Sequence, residues 1–250
     1  RFLPREDRDI AEEMLRVLNS KGIKVLQGVK IEAFRDNTAD TSVITSQGEF
    51  TADAVLVGVG RVPNTQGLGL ANAGIETDPS GFILVDDHLR VQGKNHIWAM
   101  GDVAGSPMFT YISLDDYRIV REQLFGDGKR NRADRTPFPT ATFTEPPLAH
   151  IGLTETAAQQ SGREVKVLKL KADAIPKAKI LNQTDGLLKA VVDAHSGEIL
   201  GVTLFCAEAH EIINLFKMAI DFRVPARYVK NQIFTHPTIA EGLNDLFAGC

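Results

Sequence analysis

The chain begins with apolar residues at helical spacing and continues with strand-like patterns. Apolar positions from 10 to 18 fall on one face of a predicted helix that ends near Lys21-Gly22. Continuous apolar runs at 23–26 and 54–59 predict two buried strands, and the polar–apolar alternation of 42–50 between them predicts a small antiparallel insertion. This order of elements is typical of the second half of an α/β unit.

The middle of the chain combines turns with one predicted helix. Turn-forming residues crowd between 67 and 85 and predict a boundary near residue 65, followed by a strand at 82–85. The segment 96–102 is interpreted as a buried strand that runs into a tight turn. Ser113 is predicted to cap a helix that continues to Leu124. This strand, turn and helix predict the edge of a ligand site.

The second half of the chain predicts a separate α+β domain that extends from about residue 134 to the end. The turn residues at 194–197 indicate a hairpin between the last two strands. Strands are expected at 140–143, 165–170, 186–193 and 199–205, and helices at 155–160, 208–222 and 238–247.

Composition predicts a soluble globular protein. With 250 residues, 43% of them hydrophobic and 24% charged, the chain can bury a substantial core in one or two domains. A formal net charge of -4 offers no broad basic surface, so nucleic acid is not an expected partner. No apolar run approaches the roughly 20 residues of a membrane span, and the first residues do not resemble a signal peptide. We therefore expect no membrane partner and a cytoplasmic location.

A cluster of basic residues and the two cysteines are candidates for an anion site and for a metal or disulfide site. The basic residues Lys129, Arg130, Arg132 and Arg135 alternate with polar residues after a glycine, so a solvated linker between domains is the favoured interpretation and an anion site the alternative. The two cysteines, at 206 and 250, are too far apart for a disulfide framework or a zinc site. No metal is expected, and a redox dithiol is expected elsewhere.

Two glycine pairs were compared with the fingerprint of dinucleotide sites, which needs a glycine-rich turn before a helix so that backbone N–H groups reach the pyrophosphate. Gly58-Val59-Gly60 and Gly67-Leu68-Gly69 both lack the third glycine and the following helix. Each pair is interpreted as a turn.

Three short strings occur in a fixed order along the chain. They are Gly60-Arg61-Val62-Pro63-Asn64, then Ile97-Trp98-Ala99-Met100-Gly101-Asp102, and finally Thr235-His236-Pro237-Thr238 with Glu241 after it. In this order they resemble the class I disulfide reductases, the pyridine nucleotide-disulfide oxidoreductase family that includes dihydrolipoamide dehydrogenase, glutathione reductase and mercuric reductase. The resemblance covers essentially the whole chain.

Within that family, the strings at 2–10, 109–118 and 232–237 are most similar to the bacterial reactive-chlorine-resistance flavoproteins. The resemblance implies α/β partial nucleotide-binding domains followed by an α+β C-terminal dimerisation domain. The implied division is 1–65 for the second half of an NAD(P)-binding domain, 66–133 for the C-terminal segment of an FAD-binding domain and a linker, and 134–250 for the dimerisation domain.

The resemblance also implies cofactor contacts in the middle of the chain. Asp102 would accept hydrogen bonds from the ribityl hydroxyls of FAD, and Gly101 would let the backbone come close. Thr110 and Tyr111 would begin a helix that faces the isoalloxazine ring, where partial positive charge stabilises reduced, anionic flavin. Tyr111 departs from the Thr-Pro that most relatives carry at this corner. Gly60 would lie along the nicotinamide nucleotide.

His236 is followed by a proline, and a carboxylate, Glu241, stands five residues further on. The resemblance makes His236 the general acid-base of the family and Glu241 the residue that fixes its tautomer and favours the imidazolium. In the family this histidine serves the active site of the partner subunit. The His236-Pro237 peptide is expected to be cis.

The implied activity is that of an FAD-dependent NAD(P)H oxidoreductase, a homodimer that reduces a small oxidant or a disulfide through flavin and a redox cysteine pair outside this segment. The alternative is a stand-alone dimerisation or binding module without redox activity. The chain by itself is expected to bind neither FAD nor NAD(P) tightly and to be inactive.

Overall fold

The computed structural model describes residues 1–250 and divides them into two compact units. The larger unit comprises Arg1–Asp53 together with Pro137–Cys250, and the smaller comprises Ala54–Thr136. Each unit is described by itself. The three-domain division at residues 65 and 133 stays a prediction.

The larger unit begins with the helix predicted from apolar spacing. Helix α1, Arg8–Ser20, buries Ile10, Met14 and Val17 against Leu148 and Phe205. These side chains form one stripe because residues three and four positions apart lie on the same helix face.

A three-stranded antiparallel sheet follows and confirms the predicted insertion. Its strands are β1, Ile31–Asp36, β2, Thr41–Thr45, and β3, Gly48–Ala52, and they are ordered as in the sequence. The hydroxyl of Thr45 donates to the Gly48 carbonyl and accepts from the backbone of Gln47, which closes the turn between β2 and β3.

The strands predicted on either side of this insertion were wrong. Residues 23–26 and 54–59 form no strand, and Leu56 is 98% exposed. An extended segment becomes a strand only when a neighbour accepts and donates its backbone hydrogen bonds, and no strand of residues 1–250 pairs with these two runs. Apolar content alone therefore did not decide burial.

The rest of the larger unit is an antiparallel five-stranded sheet with helices around it, ordered β4-β5-β8-β7-β6. The strand β5 was not predicted, nor were the helices α4 and α6. The strands are β4 Thr140–Thr142, β5 Leu148–Gly152, β6 Val165–Lys171, β7 Leu187–Asp193 and β8 Ile199–Phe205, and the helices are α3 Glu155–Gln160, α4 Pro176–Leu181, α5 Ala209–Asp221, α6 Ala226–Asn231 and α7 Gly242–Leu246.

The predicted hairpin between β7 and β8 is confirmed, and its turn has a local cause. The Asp193 carboxylate accepts hydrogen bonds from the backbone N–H groups of His195 and Ser196. Helix α5 packs on β5 and β8, and the rings of Phe216 and Phe247 stack with centroids 5.9 Å apart in the core. Sheet and helices share this one core, as the α+β prediction requires.

Up to its basic segment at 129–135, the smaller unit contains two short 3₁₀ helices and one long α-helix. Leu70–Ala73 and Gly101–Ala104 are 3₁₀ helices, and α2 is Thr110–Phe125. The segments 82–85 and 96–102 make only isolated bridges, so the strands predicted there were wrong. The N-cap of α2 is Phe109 rather than Ser113, because helical backbone already begins at Thr110.

The basic segment after α2 is not a solvated linker throughout. Arg135 is buried and lies 2.6 Å from Asp116 and 3.1 Å from Asp115, two acidic residues buried on α2. Arg130 pairs with Asp115 as well, and Arg132 with Asp87. Burial of acidic side chains on the helix requires cationic partners, which this segment supplies.

None of the helices is both long enough and apolar enough to cross a membrane.

A buried lysine ties α1 to the sheet of the larger unit. Lys189 on β7 is 2% exposed, and its Nζ lies 3.0 Å from Asp7, 3.0 Å from Asp9 and 2.6 Å from Glu155. Asp7 also accepts the backbone N–H groups of Glu155 and Thr156 at the start of α3. The cluster therefore joins three elements that are far apart in sequence.

The pKa of Asp7 reflects this environment. Burial is the largest single influence and by itself would raise the pKa, but the hydrogen bonds from Lys189, Glu155 and Thr156 together outweigh it, and the pKa lies below its usual value. A lowered pKa in the folded state stabilises the fold above the unfolded value of about 3.9. This stabilisation is lost as the pH falls through the folded value.

We expect Lys189→Met to lower the free energy of unfolding by about 3–5 kcal/mol, because it leaves the Asp7 carboxylate buried without its cation. Denaturant titration measures the change. The control is Lys169→Met, which removes a half-exposed lysine 2.6 Å from Asp9 and should cost less than about 1 kcal/mol. If both substitutions lowered the free energy of unfolding equally, burial of Lys189 would not be the reason for its effect.

Candidate active site and cofactor-binding residues

The loop before α7 holds the histidine predicted to act as general acid-base. The His236-Pro237 peptide is cis, as expected. Nδ1 of His236 lies 2.7 Å from the Glu241 carboxylate, and the histidine side chain is 70% exposed. The predicted helix at 238–247 is shorter than expected, since α7 begins at Gly242. Residues 235–241 instead form the loop that brings the two side chains together.

Glu241 is held on both carboxylate oxygens. Oε2 pairs with His236, and Oε1 accepts the backbone N–H of Thr238 at 3.1 Å. The Thr238 hydroxyl donates to the Thr235 carbonyl and accepts the N–H of Glu241, which closes the loop. The hydrogen bond from His236 is the main reason that the pKa of Glu241 lies below its usual value; burial opposes this effect and the Thr238 N–H adds to it. The carboxylate is therefore ionised at neutral pH.

The contact between Nδ1 of His236 and Glu241 determines which ring nitrogen can exchange a proton with other molecules. An ionised Glu241 at Nδ1 assigns the ring proton to that nitrogen in the neutral state and stabilises the ring when it becomes doubly protonated. Nε2 has no hydrogen-bond partner within residues 1–250, and the ring is exposed. His236 can therefore accept a proton at Nε2 from a molecule outside this chain, or donate one to it.

The predicted flavin contacts lie in the smaller unit, at the turn Met100-Gly101-Asp102. Gly101 is buried with φ +73°, and a Cβ there would lie 2.9 Å from the Ser113 hydroxyl, so only glycine fits without a shift. The Asp102 side chain is exposed, and its carboxylate makes no hydrogen bond within the protein. A partnerless carboxylate beside a glycine turn can accept hydrogen bonds from ligand hydroxyls.

Thr110 and Tyr111 are the first two residues of α2, as predicted. The Tyr111 ring stacks on Phe109 with centroids 5.1 Å apart, and burial raises the pKa of the phenol. The N-terminus of this 16-residue helix carries partial positive charge. It can stabilise negative charge on a ligand placed against it.

Gly60 belongs to the same unit and is exposed. Its neighbour Arg61 donates to the Met108 carbonyl at 2.9 Å, so the string that begins at Gly60 contacts the loop that leads into α2. The five predicted cofactor residues therefore lie in one unit, and the pair His236 and Glu241 lies in the other.

These residues fit one part of a flavin. Asp102 offers acceptors for the ribityl chain, and the α2 N-terminus offers positive potential for the ring. The glycine-rich turn that would cradle a pyrophosphate does not occur in this sequence. The residues of this chain would therefore supply only part of the contacts that a flavin needs.

Three of the other histidines and both cysteines make contacts that indicate structural roles. His210 packs edge-on against Phe143, His150 bonds Thr203, and His195 lies 3.2 Å from Glu164. Cys206 is buried, which raises the pKa of its thiol to about 12, with Glu208 adding to the effect. Burial also raises the pKa of Cys250, against the effect of Lys166 and Lys230. Both cysteines are free thiols.

Asp116 and Arg135 are the residues at this site that sequence reasoning missed. The Asp116 carboxylate accepts the N–H of Gly101 at 2.7 Å and pairs with Arg135. A signal was present: Asp115 and Asp116 fall between Ile112 and Ile119 on the buried face of α2. Acidic residues on an apolar helix face require partners, and the basic residues that follow could have been assigned to them.

Comparisons with known proteins agree with this fold. Residues 1–116 match the family described as "Pyridine nucleotide-disulphide oxidoreductase". Residues 138–247 match "Pyridine nucleotide-disulphide oxidoreductase, dimerisation domain". The two matches leave outside them residues 117–137, which comprise the second half of α2 and the basic segment, and residues 248–250.

Two curated relatives illustrate the range of similarity. The chain is 44% identical over 247 residues to "Probable pyridine nucleotide-disulfide oxidoreductase RclA" of Escherichia coli, covering 99% of this chain and 56% of that protein. It is 33% identical over 241 residues to "Mercuric reductase" of Staphylococcus aureus, covering 95% of this chain and 44% of that protein. The chain thus spans about half the length of these relatives.

Solved structures give the same result. The structure of "HOCl-induced flavoprotein disulfide reductase RclA" from Escherichia coli superposes with a TM-score of 0.96 at 44% identity, covering 99% of this chain and 57% of that one. LpdA from Mycobacterium tuberculosis shares the fold, with a TM-score of 0.88 at 21% identity over 98% of this chain and 53% of that one. On these matches, the chain belongs to the pyridine nucleotide-disulfide oxidoreductase family.

Proposed function

We propose that the whole protein that carries this chain is an enzyme, an FAD-dependent NAD(P)H oxidoreductase that reduces a small oxidant or a disulfide. The observation that carries the proposal is the His236–Glu241 pair, an exposed imidazole with an ionised carboxylate at 2.7 Å. Family membership supports it, since the relatives are named as flavoprotein or mercuric reductases and oxidoreductases.

A small oxidant is favoured over a large disulfide. Three RclA structures are described as those of an HOCl-induced flavoprotein disulfide reductase, two of them as its Cu(II) complex. These descriptions concern the Escherichia coli protein. At 44% identity over almost the whole chain they support a reactive chlorine species or a metal ion as the substrate class for this protein as well.

His236 is the residue of this chain to which we assign proton transfer. Nε2 would give a proton to the reduced product or take one from the attacking thiol, because Nδ1 is engaged by Glu241. Glu241 would keep the ring oriented and stabilise the imidazolium.

The flavin would supply the electron transfer from NAD(P)H towards the oxidised substrate. Asp102 would hold the ribityl hydroxyls, and Gly101 would allow the backbone to approach them. Thr110 and Tyr111 would present the helix N-terminus to the ring, and Gly60 would lie along the nicotinamide nucleotide. The redox cysteine pair would come from outside these 250 residues, since Cys206 is buried and Cys250 has no cysteine partner.

A homodimer is the assembly we propose, since residues 138–247 match a dimerisation domain. An apolar groove of about 250 Å³ lies between α5 and α6, with Leu215, Met218, Phe222 and Tyr228 in its wall. Phe222 is 81% exposed and Met218 56%, and a solvent-facing apolar patch of this kind is typical of a protein interface.

The whole protein should carry FAD and show the roughly 450 nm absorption of oxidised flavin. The 250-residue chain alone should bind FAD with a dissociation constant above about 10 µM, because it lacks a turn for the pyrophosphate. Absorption spectra and calorimetry measure the two cases. A colourless whole protein that cannot be reconstituted with FAD would favour the module without redox activity, and tight binding by the chain alone would contradict the partial site.

His236→Ala in the whole protein should slow substrate turnover at least about tenfold, the lower part of what general acid-base catalysis supplies. Reduction of the flavin by NAD(P)H should stay fast, because it precedes the proton transfer assigned to His236. Stopped-flow absorbance and steady-state assays with a panel of oxidants separate the two steps. The matched control is His195→Ala, an exposed histidine that also faces a glutamate, Glu164; an equal effect of both substitutions would remove His236 from the mechanism.

Phe222→Asp combined with Met218→Asp should convert the dimer to a monomer at micromolar concentration, because charges would enter an apolar interface. Sedimentation velocity measures the molecular mass. Ile180→Asp is the control: Ile180 is 64% exposed but lies on α4, outside the groove. A double variant that stays dimeric would place the interface elsewhere.

A further inference from the structure

A buried carboxylate lies directly beneath the Gly101–Asp102 turn. Asp116 on α2 is fully buried, with 0% exposure. Its Oδ2 accepts the backbone N–H of Gly101 at 2.7 Å, and its Oδ1 accepts a hydrogen bond from Arg135 Nη2 at 2.6 Å. Each oxygen therefore has its own partner, one on the turn and one on the segment after the helix.

Arg135 supplies the positive charge that offsets the cost of burying the Asp116 carboxylate. Its side chain is 6% exposed and also lies 3.1 Å from Asp115, in an ion-pair contact without hydrogen-bond geometry. Arg130 bonds the other oxygen of Asp115. Two guanidinium groups thus face two carboxylates, and the buried charges balance.

The hydrogen bond to Gly101 meets a need of the turn itself. Gly101 is the first residue of the 3₁₀ helix Gly101–Ala104, and the N–H groups of a first helical turn have no acceptor within their own helix. For Gly101, the acceptor is Asp116. With φ at +73° and the Ser113 hydroxyl behind it, Gly101 is fixed on one side by sterics and on the other by this bond.

The direction of the next side chain depends on this fixed residue. Asp102 is exposed, and no protein group binds its carboxylate, so only the backbone of the turn orients it. The carboxylate of Asp102 is the group to which the proposed function assigns the ribityl hydroxyls. The hydrogen bond from the Gly101 N–H to Asp116 limits the backbone rotation that would move Asp102 away from the ribityl hydroxyls.

We propose that Asp116, held in place by Arg135, is a positioning residue of the flavin site: it fixes the Gly101–Asp102 turn in the conformation that binds FAD. This inference rests on the proposed function. It adds a polar relay, from Arg135 through Asp116 to the backbone of Gly101, whose removal weakens FAD binding without removing any atom that touches the flavin.

The neighbouring residue provides a matched control. Asp115 is also buried on α2 and also faces Arg135, but it makes no contact with Gly101. In the whole protein, Asp116→Ala should weaken FAD binding about tenfold or more, the factor that corresponds to one charge-assisted hydrogen bond. Asp115→Ala, which disturbs the same ion cluster, should change it less than about threefold. Titration of the flavin-free protein with FAD, followed by flavin fluorescence, gives both constants.

A second measurement separates positioning from general stability. In the flavin-free protein, Asp116→Ala should speed hydrogen exchange of the Gly101 amide, while Asp115→Ala should leave that amide protected. If Asp116→Ala fails to fold, Asp116→Asn takes its place. The asparagine retains an oxygen for Gly101 but loses the charge that Arg135 requires, and it should give a smaller loss of affinity with the same ranking against Asp115→Asn.

The outcomes are distinct. Equal FAD affinities for the Asp115 and Asp116 variants, or a Gly101 amide that stays protected in the Asp116 variant, would overturn the positioning role and leave the proposed function in place. A wild-type protein that binds no FAD would overturn the proposed function and this inference with it. Weaker FAD binding and faster Gly101 exchange in the Asp116 variant alone would support both.

Discussion

The pairing of Lys189 with three carboxylates is the interaction on which the larger unit depends. A lysine on a central strand is buried only because Asp7, Asp9 and Glu155 converge on it from two helical segments. Asp7, the buried one of the three carboxylates, in turn needs the lysine, since an isolated buried charge costs several kcal/mol. The cluster and the apolar packing of Ile10, Met14 and Val17 together hold α1 against the sheet.

The smaller unit uses the same principle at a different place. Asp115 and Asp116 are buried on α2 because Arg130 and Arg135 return to them from the segment after the helix. Here one carboxylate oxygen is left for the backbone of Gly101. The side chain that balances the buried charge of Arg135 thereby also holds the backbone of the turn that carries Asp102.

The acid-base pair is built in the opposite way. His236 is exposed, and Glu241 orients it through the loop of residues 235–241, whose hydrogen bonds are all local. Because His236 is exposed, its Nε2 is available to another molecule, whereas the charges of Lys189 and Arg135 are buried. The exposed imidazole and the match to a dimerisation domain are consistent with the proposed enzyme, whose active site would be assembled from more than these residues.

The sequence by itself determined the features that arise from short-range spacing. These are the apolar face of α1, the hairpin of β7 and β8 with its Asp193 turn, and the pairing of His236 with Glu241, whose partners are at most a few residues apart. Tertiary structure alone decided the rest. Lys189 meets Asp9 across 180 residues of sequence, so no local pattern identifies these partners. Asp116 meets Arg135 across 19 residues: the acidic pair on the buried face of α2 indicates a need for cations, but only the tertiary structure decided which basic residue meets which carboxylate. Likewise, the apolar runs at 23–26 and 54–59 matched the pattern of buried strands, but a strand is formed and covered by its neighbours, and spacing along one chain cannot specify them.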